Sequence, residues 1–392
     1  MNWAEFSLCD LCYFENGDRG KNYPGRKAFV EAGVPFINAG HLTRNGIDHD
    51  KMNFIPEEHF NRLRAGKVEK GDFLFCLRGS LGKFDRVKQI NKGAIASSLV
   101  IIRPNQDLDA NFFHHYLNGP ECQRNIDFLS NGLAQPNLSV SNLKNFTIKL
   151  PPLLEQKRIA AILDQADALR RQRQAALDRL NTLGQSIFYD MFGEWTDKSP
   201  NWEIIELGDK LDFLTSGSRG WAKYYSDKGA KFIRIQNVKS GHFDDSDLAF
   251  VDAPASAEAR RTKVQEGDVL LSITADLGRA AVVPDGIGDA HINQHLSILR
   301  SSEFNPTFLT AALTSHSSQR NIEKKNNGGT KAGLNFTDIK SLKIIFPSRK
   351  KQNEFANNLE QVTKFQNANM LALVQSNILF ASLQQRAFRG EL

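Results

Sequence analysis

The sequence predicts a mixed α/β protein that arose by tandem duplication, with two globular α/β domains and two long helices packed as an antiparallel coiled coil. Three observations support this fold class. The chain repeats itself at an offset of 196 residues, each half begins with strand-like and turn-like segments, and each half ends in a helical segment of about forty residues. At 392 residues the chain is also too long for one ordinary core.

The internal repeat is visible in short matching motifs. Gly71-Asp72-Phe73-Leu74 matches Gly267-Asp268-Val269-Leu270, Leu81-Gly82-Lys83 matches Leu277-Gly278-Arg279, and Gln123-Arg124-Asn125-Ile126 recurs unchanged at Gln319 to Ile322. The offset slips near the start, where Arg19-Gly20 corresponds to Arg219-Gly220, as a loop insertion would cause. One offset over most of the chain indicates a duplicated protein.

The globular part of each half shows strand and turn signals. Gly71-Asp72 predicts a turn before an apolar strand from Phe73 to Leu77, and a second strand is expected from Ser97 to Ile102. Asp109 and Asn305 are expected to cap helices that run through the repeated Gln-Arg-Asn-Ile. Asn131-Gly132 and Asn327-Gly328-Gly329 then predict loops.

The end of each half predicts a long amphipathic helix. The stretch "LPPLLEQKRIAAIL" places Pro151 and Pro152 at the helix start, where a missing amide hydrogen costs nothing, and Pro347 does the same in the second half. Apolar residues at three- and four-residue spacing form a stripe on each helix, which one helix alone cannot bury. The predicted interface of the pair consists of Ile159, Ile162, Leu169, Leu180, Leu183, Ile187, Phe355, Val362, Phe365, Leu379 and Leu383.

A pseudo-twofold relation between the halves would make the helix pair antiparallel, with the globular domains at opposite ends. The expected division is a first domain at 1–150, a first helix at 151–193, a second domain at 194–346 and a second helix at 347–392. Arg173 and Asn369 interrupt the stripes at equivalent positions. They either set the register of the pair or face solvent at a helix irregularity.

Composition indicates a globular protein, with 41% hydrophobic and 24% charged residues. The net charge of +6 permits a polyanionic partner without requiring one. We expect a cytoplasmic protein without a membrane partner, because the N-terminus lacks a signal-like apolar segment and no run is long enough to span a bilayer. Cys9 and Cys12 have zinc-like spacing, but no second pair exists, which favours ordinary thiols.

Motifs for catalysis are incomplete. "GSLGK" at Gly79 to Lys83 has the wrong spacing for a phosphate loop and lacks its Ser or Thr. "NPTF" at Asn305 departs from the Asn-Pro-Pro-aromatic signature of enzymes that methylate base amino groups, and a helix cap explains it better. "HINQH" at His291 lacks the glutamate of a zinc helix and falls where the repeat predicts sheet. The sequence therefore predicts a binding protein with no cofactor or metal of its own.

The motifs "LPPLLEQKRIAAIL", "GDFLFCLRGSLGK" and "NGLAQPNLSVSNLKNFTIKLPP", together with the duplication, resemble the DNA specificity subunits of type I restriction–modification systems. The resemblance covers nearly the whole chain in two copies. The second copy departs from the helix-start motif, because it keeps Pro347 and Gln352 but lacks the glutamate.

This resemblance implies a non-catalytic, sequence-specific DNA-binding subunit of a phage-defence complex. Two target-recognition domains would each read one half of a bipartite DNA site. The two conserved helices would set the spacing and dock two methyltransferase (modification) subunits, which supply S-adenosylmethionine chemistry on adenine. Motor-nuclease (restriction) subunits with ATP and magnesium would join for restriction, and the chain leaves the variant of a methylation-only system open.

Two other classes of function stay open on the residues alone. The duplicated domains could form a protein–protein scaffold without specific DNA recognition, which the modest net charge favours. The chain could also be a methyltransferase or nuclease with an unrecognised site, which the incomplete motifs argue against.

DNA contacts are expected from polar side chains on loops, where the two copies differ. Lys83 and Arg279 are the best candidates for phosphate contacts, because both copies are basic there beside a glycine. The full set is Arg19, Lys21, Arg26, Lys27, Arg44, Arg78, Lys83, Gln135 and Asn137 in the first domain, and Arg219, Lys223, Arg234, Lys239, Arg279 and Lys331 in the second.

Overall fold

The computed structural model describes residues 3–43, 46–130, 137–196, 201–326 and 333–392. The chain forms two compact units. The first consists of residues 1–174 and 372–392, and the second of residues 175–371. Each unit therefore contains one globular part and a portion of both long helices.

The first globular part contains twelve strands and five short α-helices within the described residues. The strands are β1 (Ala4–Ser7), β2 (Cys12–Asn16), β3 (Val34–Ile37), β4 (Leu42–Thr43), β5 (Gly46–Ile47), β6 (Asn53–Ile55), β7 (Lys67–Val68), β8 (Phe73–Cys76), β9 (Phe84–Arg86), β10 (Gly93–Ile95), β11 (Leu99–Pro104) and β12 (Thr147–Leu150). The helices are α1 (Leu8–Leu11), α2 (Glu57–Arg62), α3 (Ala110–Leu117), α4 (Pro120–Ser130) and α5 (Val140–Lys144), and the long helix α6 (Leu153–Phe192) follows them.

The second globular part has a similar element order. Its strands are β13 (Ile204–Glu206), β14 (Phe213–Ser216), β15 (Tyr225–Ser226), β16 (Ala230–Ile233), β17 (Ala249–Val251), β18 (Val269–Ser272), β19 (Ala280–Val282), β20 (Ala290–Ile292), β21 (Leu296–Arg300) and β22 (Lys343–Ile345). Its helices are α7 (Ala257–Thr262), α8 (Pro306–Thr314), α9 (His316–Asn326) and α10 (Phe336–Lys340), and the long helix α11 (Arg349–Arg389) follows them.

Strand pairing confirms the duplication. An antiparallel sheet runs β2-β11-β8-β9 in the first unit and β14-β21-β18-β19 in the second. A second sheet contains one parallel pair in each unit, β3 with β10 and β16 with β20. The first and last strands of each globular part also pair with each other, β1 with β12 and β13 with β22.

The apolar runs form the central strands, as predicted. Every residue of β8, Phe73–Cys76, is buried, and so are Leu99 to Ile102 of β11. A strand that is apolar throughout has both faces covered, and here one face meets α3 and α4 while the other meets the second sheet of the same unit.

The predicted helix caps are confirmed, but the prediction that one helix continues through Gln-Arg-Asn-Ile is wrong. The side chains of Asp109 and Asn305 each accept two backbone hydrogen bonds at the starts of α3 and α8. In both units the helix then ends and a second one begins, α4 or α9. Pro120 starts α4, because it has no amide hydrogen to continue α3, and Ser315 has extended backbone angles before α9.

The two predicted long helices are present, with 40 residues in α6 and 41 in α11. Each is fastened to its globular part by a fully buried glutamine, Gln156 or Gln352. Gln156 Oε1 accepts the amide of Asp109 at 2.7 Å, and its amide group donates to Pro151 O at 2.9 Å. Gln352 makes the equivalent bonds to Asn305 and Pro347. The repeated proline and glutamine thus couple the helix start to the capped helix before it.

Within each unit the long helices lie antiparallel. In the first unit Arg158 bonds to the carbonyl of Leu392, and Arg170 lies 4.7 Å from the Phe380 ring centroid. In the second unit Gln366 donates to the carbonyl of Leu180 at 3.1 Å, and Phe188 and Phe355 are in edge contact at 5.5 Å. In both pairs the residue number rises on one helix as it falls on the other.

The predicted helix-pair residues fall into three groups. Ile159, Phe355 and Val362 are buried, and Ile162, Leu180, Ile187 and Leu383 are half-buried. The prediction fails for Leu169, Leu183, Phe365 and Leu379, of which Leu169, Phe365 and Leu379 are more than half exposed. The inward positions hold polar side chains such as Asp167 and Gln366, which an apolar pattern does not reveal. Arg173 and Asn369 are half-buried, so both positions lie at the edge of the inward face.

Candidate nucleic-acid interface

The tight turn that carries Lys83 and Arg279 is closed by the same backbone hydrogen bond in the two units. The amides of Cys76 and Ser272 donate to the carbonyls of Lys83 and Arg279, each at 2.8 Å. Gly278 has φ +81, and a Cβ there would lie 2.7 Å from the side chain of Gln319. The repeated Leu-Gly-basic and Gln-Arg-Asn-Ile motifs are therefore two sides of one packing contact, which explains why they recur together.

The basic side chain on this turn has a different environment in each unit. Lys83 is half-buried and has no acidic partner among the described residues. Arg279 Nη2 lies 3.0 Å from Asp276, in an ion pair whose acid is 57% exposed. An exposed pair of this kind contributes little stability, so its arginine can exchange the carboxylate for a phosphate.

Arg78 and Asn137 lie together, which the sequence did not predict. Arg78 Nε donates to Asn137 Oδ1 at 3.2 Å, and the two residues form an isolated bridge. The equivalent bridge of the second unit joins Thr274 and Gly333. The same site thus carries a guanidinium and an amide in one unit and a hydroxyl and a glycine in the other. Gln135, Lys331 and Arg44 lie outside the described residues.

Most of the other predicted residues are on exposed loops. Arg19, Lys21, Arg26 and Lys27 are exposed between β2 and β3. Arg219 and Lys223 are exposed in the corresponding segment after β14, and Lys223 lies 4.9 Å from the centroid of the Tyr224 ring. Their positions leave them accessible to a ligand.

Arg234 and Lys239 instead hold a loop of the second unit together. Arg234 donates to the carboxylate of Asp247 at 3.0 Å and to its carbonyl at 2.9 Å. Lys239 lies 3.5 Å from Asp244, whose pKa is lowered by hydrogen bonds from Ser246 and by Lys239. A DNA contact at either cation would require the exchange of an existing partner.

A cleft of about 1280 Å³ lies in the first unit, between the globular part and the long helices. The turn residue Lys83 lines it together with Lys88, which interacts electrostatically with Asp85 of the same lining. Arg170 and Arg171 reach it from α6, where both pair with Asp167. The cleft therefore places cations of the globular part opposite cations of the helix.

Two adjacent histidines also line this cleft. His115 is 3% exposed, and its Nε2 lies 2.7 Å from Asp164 of α6. Burial, with additional repulsion from His115 and Arg171, lowers the pKa of His114 to about 4. His114 is therefore neutral near pH 7, and the positive charge of the cleft comes from its lysines and arginines.

Sequence reasoning missed Lys88, Arg170, Arg171 and the buried ion pairs described below. The helix arginines carry no distinguishing signal, because charged residues are common on exposed helix faces. An arginine about thirty residues after each Gly-Asp turn, Arg103 and Arg300, was available as a signal in the repeat.

No group of three or more metal-ligating side chains occurs among the described residues. His291, which the sequence placed in sheet, lies in β20 and contacts Trp221 at 5.1 Å between ring centroids. Burial raises the pKa of both Cys12 and Cys122 to about 12, so these thiols stay neutral. In the described part of the chain, no helix has the length and apolarity that crossing a bilayer requires.

Comparison with known proteins agrees with this architecture. The family model of the type I restriction modification DNA specificity domain matches residues 1–179 and again residues 200–373. The chain is 24% identical to the type I restriction enzyme EcoKI specificity subunit of Escherichia coli K12, over 92% of this chain and 82% of the relative. It is 23% identical to the putative type I restriction enzyme MjaX specificity subunit of Methanocaldococcus jannaschii, over 84% of this chain and 80% of the relative.

Solved structures show the same fold at low sequence identity. A chain from a structural study of complex assembly and conformational transition in a type I restriction–modification system matches with a TM-score of 0.65 and 19% identity, over 100% of this chain and 98% of that chain. The S subunit of a type I system from M. genitalium matches with a TM-score of 0.58 and 16% identity, over 99% and 96% of the two chains.

Proposed function

Because the chain belongs to the type I restriction–modification DNA specificity family, it is a non-catalytic DNA-recognition subunit, and we propose that its two copies each read one half of a bipartite DNA site. The observation that carries this proposal is the duplication itself. The two units share the strand order of their antiparallel four-stranded sheets but carry different side chains at equivalent positions, as Arg78 and Asn137 differ from Thr274 and Gly333. Two similar scaffolds with different side chains are suited to two different half-sites.

The proposed division of labour follows the repeat. Residues 1–150 and 194–346 read DNA as target-recognition domains, and residues 151–193 and 347–392 form the spacer helices. Lys83 and Arg279 contact phosphates from equivalent turns, while Arg78 and Asn137 face base edges. A guanidinium favours guanine and a side-chain amide favours adenine in the major groove. Exposed loop cations such as Arg19, Lys21, Arg219 and Lys223 supply further backbone contacts.

The long helices also dock the other subunits in this proposal. They expose large apolar side chains that neither helix covers: Leu154, Leu169, Val374, Ile378 and Leu379 in the first unit, and Phe365, Met370 and Leu371 in the second. Exposed apolar surface of this extent is typical of an interaction site. We assign it to two methyltransferase subunits, which would hold S-adenosylmethionine, while restriction subunits would hold ATP and magnesium.

Docking is tested by copurification with the methyltransferase subunit encoded beside this chain. Ile378→Lys, at a side chain 66% exposed, should abolish copurification without unfolding the helix. Lys364→Ala is the matched control on the same helix, at an exposed ion pair with Glu360. Normal copurification of Ile378→Lys would remove this face from the interface.

Spacing is tested by shortening both helices together. Deleting 168–174 and the equivalent 364–370 removes seven residues from each helix, about 10.5 Å of rise. At ~3.4 Å per base pair, the recognised gap should shrink by about three base pairs while both half-sites stay the same. An unchanged gap in a folded deletion variant would contradict the role of the helices as a spacer.

A further inference from the structure

An ion pair between a half-buried arginine and a buried aspartate recurs at equivalent positions of the two units. Arg103 Nε lies 2.8 Å from Asp72 in the first unit, and Arg300 Nε lies 2.6 Å from Asp268 in the second. Asp72 and Asp268 also accept the amides of Glu69 and Gln265, three residues earlier in the chain. Both arginines lie over an aromatic ring of the neighbouring strand, Tyr13 or Phe213.

The first unit completes this site with a second carboxylate. Glu15 Oε2 accepts from Arg103 Nη1 at 2.7 Å, and its Oε1 accepts the amides of Gly66 and Lys67 at 2.6 and 3.3 Å. The guanidinium is thus neutralised from two sides. Asp18 lies nearby and accepts the amide of Arg64 at 3.0 Å.

The second unit lacks this second carboxylate. Strand register makes Thr215 the equivalent of Glu15, because Glu15 pairs with Ile101 and Thr215 with the equivalent Ile298. Among the described residues, Arg300 Nη1 has no acceptor. A guanidinium nitrogen that is bound by a carboxylate in one copy is therefore open to a ligand in the other.

Additional cations surround the open position. Arg261, which corresponds to Ala65 of the first unit, donates to Thr215 Oγ1, to Ser216 O at 2.7 Å and to Ser218 Oγ at 2.9 Å. All three acceptors are uncharged. Arg260 has no acidic partner in the described part of the chain, while Lys263 is neutralised by Asp289 at 2.8 Å.

These side chains line a pocket of about 400 Å³. Its lining consists of Phe213, Arg260, Arg261, Lys263, Val264, Gln265 and Arg300, with no carboxylate among them. Guanidinium groups bind phosphate oxygens with two parallel hydrogen bonds, so this residue set suits a tetrahedral oxyanion. The pocket lies at the position that the Glu15 carboxylate occupies in the first unit.

We infer that the pocket formed by Arg260, Arg261 and Arg300 binds a phosphate group, and that a phosphate of the DNA backbone occupies it. The inference rests on the proposed function for the source of the phosphate. The pocket lies close to the proposed DNA surface, because Arg261 donates to Ser218 and the next residue, Arg219, is on the loop that we predict to reach DNA. It adds a phosphate contact that the second unit makes and the first does not. The two units would then differ in electrostatic affinity as well as in base readout.

The test restores the missing carboxylate. Thr215→Glu places in the second unit the residue that the first unit carries, and Arg261→Gln removes one cation as an independent variant. Lys364→Gln, on an exposed ion pair of the same unit, is the control. The full chain is measured with two probes, a non-specific duplex across a salt series and inorganic phosphate in thermal unfolding.

With DNA as the source, both variants should make the negative slope of log K against log salt less steep by about 0.9, the value for one phosphate contact, and the control should not. Inorganic phosphate should raise the melting temperature of the parent and control more than that of either variant. Loss of the phosphate effect with an unchanged DNA slope would overturn the DNA source and identify a free phosphate compound as the ligand. Parent-like behaviour of both folded variants with both probes would overturn the pocket. Failure of the proposed function would appear differently, as an absence of DNA binding by the unmodified chain.

Discussion

The hydrogen bonds of Gln156, which fastens α6 to its globular part, determine how much stability is lost when this side chain is replaced. Gln156→Met keeps the length of the side chain but removes its three hydrogen bonds, to the amide of Asp109 and to the carbonyls of Asp107 and Pro151. All three backbone groups lose their partner at a site with no exposure. At ~1 kcal/mol for each bond, the local cost is about 3 kcal/mol.

The second unit contains the matched case. Gln352 makes two such bonds, so Gln352→Met should cost about 2 kcal/mol on the same scale. Gln165→Met, on an exposed face of α6, is the control. The assay is hydrogen exchange of the full chain, read on peptides that span α3 for Gln156 and α8 for Gln352.

Exchange in α3 should accelerate on the order of 100-fold in Gln156→Met, and exchange in α8 roughly 30-fold in Gln352→Met, because ~1.4 kcal/mol corresponds to a factor of ten. The control should differ little from the parent. Equal effects of the two substitutions, or exchange unchanged in α3, would refute the reasoning that bond number sets the cost.

Three further predictions concern the turn, the cleft and the phosphate contacts. Gly278→Ala should destabilise the second unit by about 2–3 kcal/mol, because it strains the backbone at positive φ and displaces Gln319 from its bonds to the carbonyls of Gly278 and Leu313. The control Gly286→Ala, which has open space at φ +73, should cost only about 1 kcal/mol. Both free energies of unfolding are measured by urea unfolding. Equal costs would contradict the packing role of the turn. The pKa of His114 is about 4 in the folded protein against 6.5 for a free imidazole, so the folded state favours the neutral ring. Its contribution to stability is therefore fully present above pH 6.5 and is lost as the pH falls towards 4. Between pH 7 and pH 5 the parent should lose up to about 2 kcal/mol more than His114→Gln, and parallel pH profiles would contradict this. Lys83→Ala and Arg279→Ala should each reduce the steepness of the salt dependence of DNA binding by about 0.9 in log K against log salt, while Lys364→Ala should leave it unchanged. An unaltered slope in the first two would exclude them as phosphate contacts.

The large-scale organisation could be predicted because a duplication is visible directly as matching residues at a fixed offset. The offset of 196, the two helices of about forty residues and the caps at Asp109 and Asn305 follow from periodicity and local chemistry, and the structure confirms them. The break between α3 and α4 was not predicted, although Gly119 and Pro120 mark it in the sequence.

The contacts between distant segments were not predictable in the same way. Leu169 and Leu379 match the spacing of an inward stripe, yet the true inward face includes Asp167 and Gln366, whose polarity hides it. Arg78 with Asn137, and Arg261 with Thr215, are pairs separated by 59 and 46 residues in the chain. Strand register brings such residues together, and a single sequence does not reveal register.

The central claim is that the two units read two halves of one DNA site, and methylome sequencing tests it most directly. The chain is expressed with its neighbouring methyltransferase subunit in a host without DNA methylation. We predict methylated adenines in one bipartite motif, with two different half-sites and a fixed gap of unspecified bases. No new methylation from a folded, associated complex, or a continuous motif without a gap, would contradict the account.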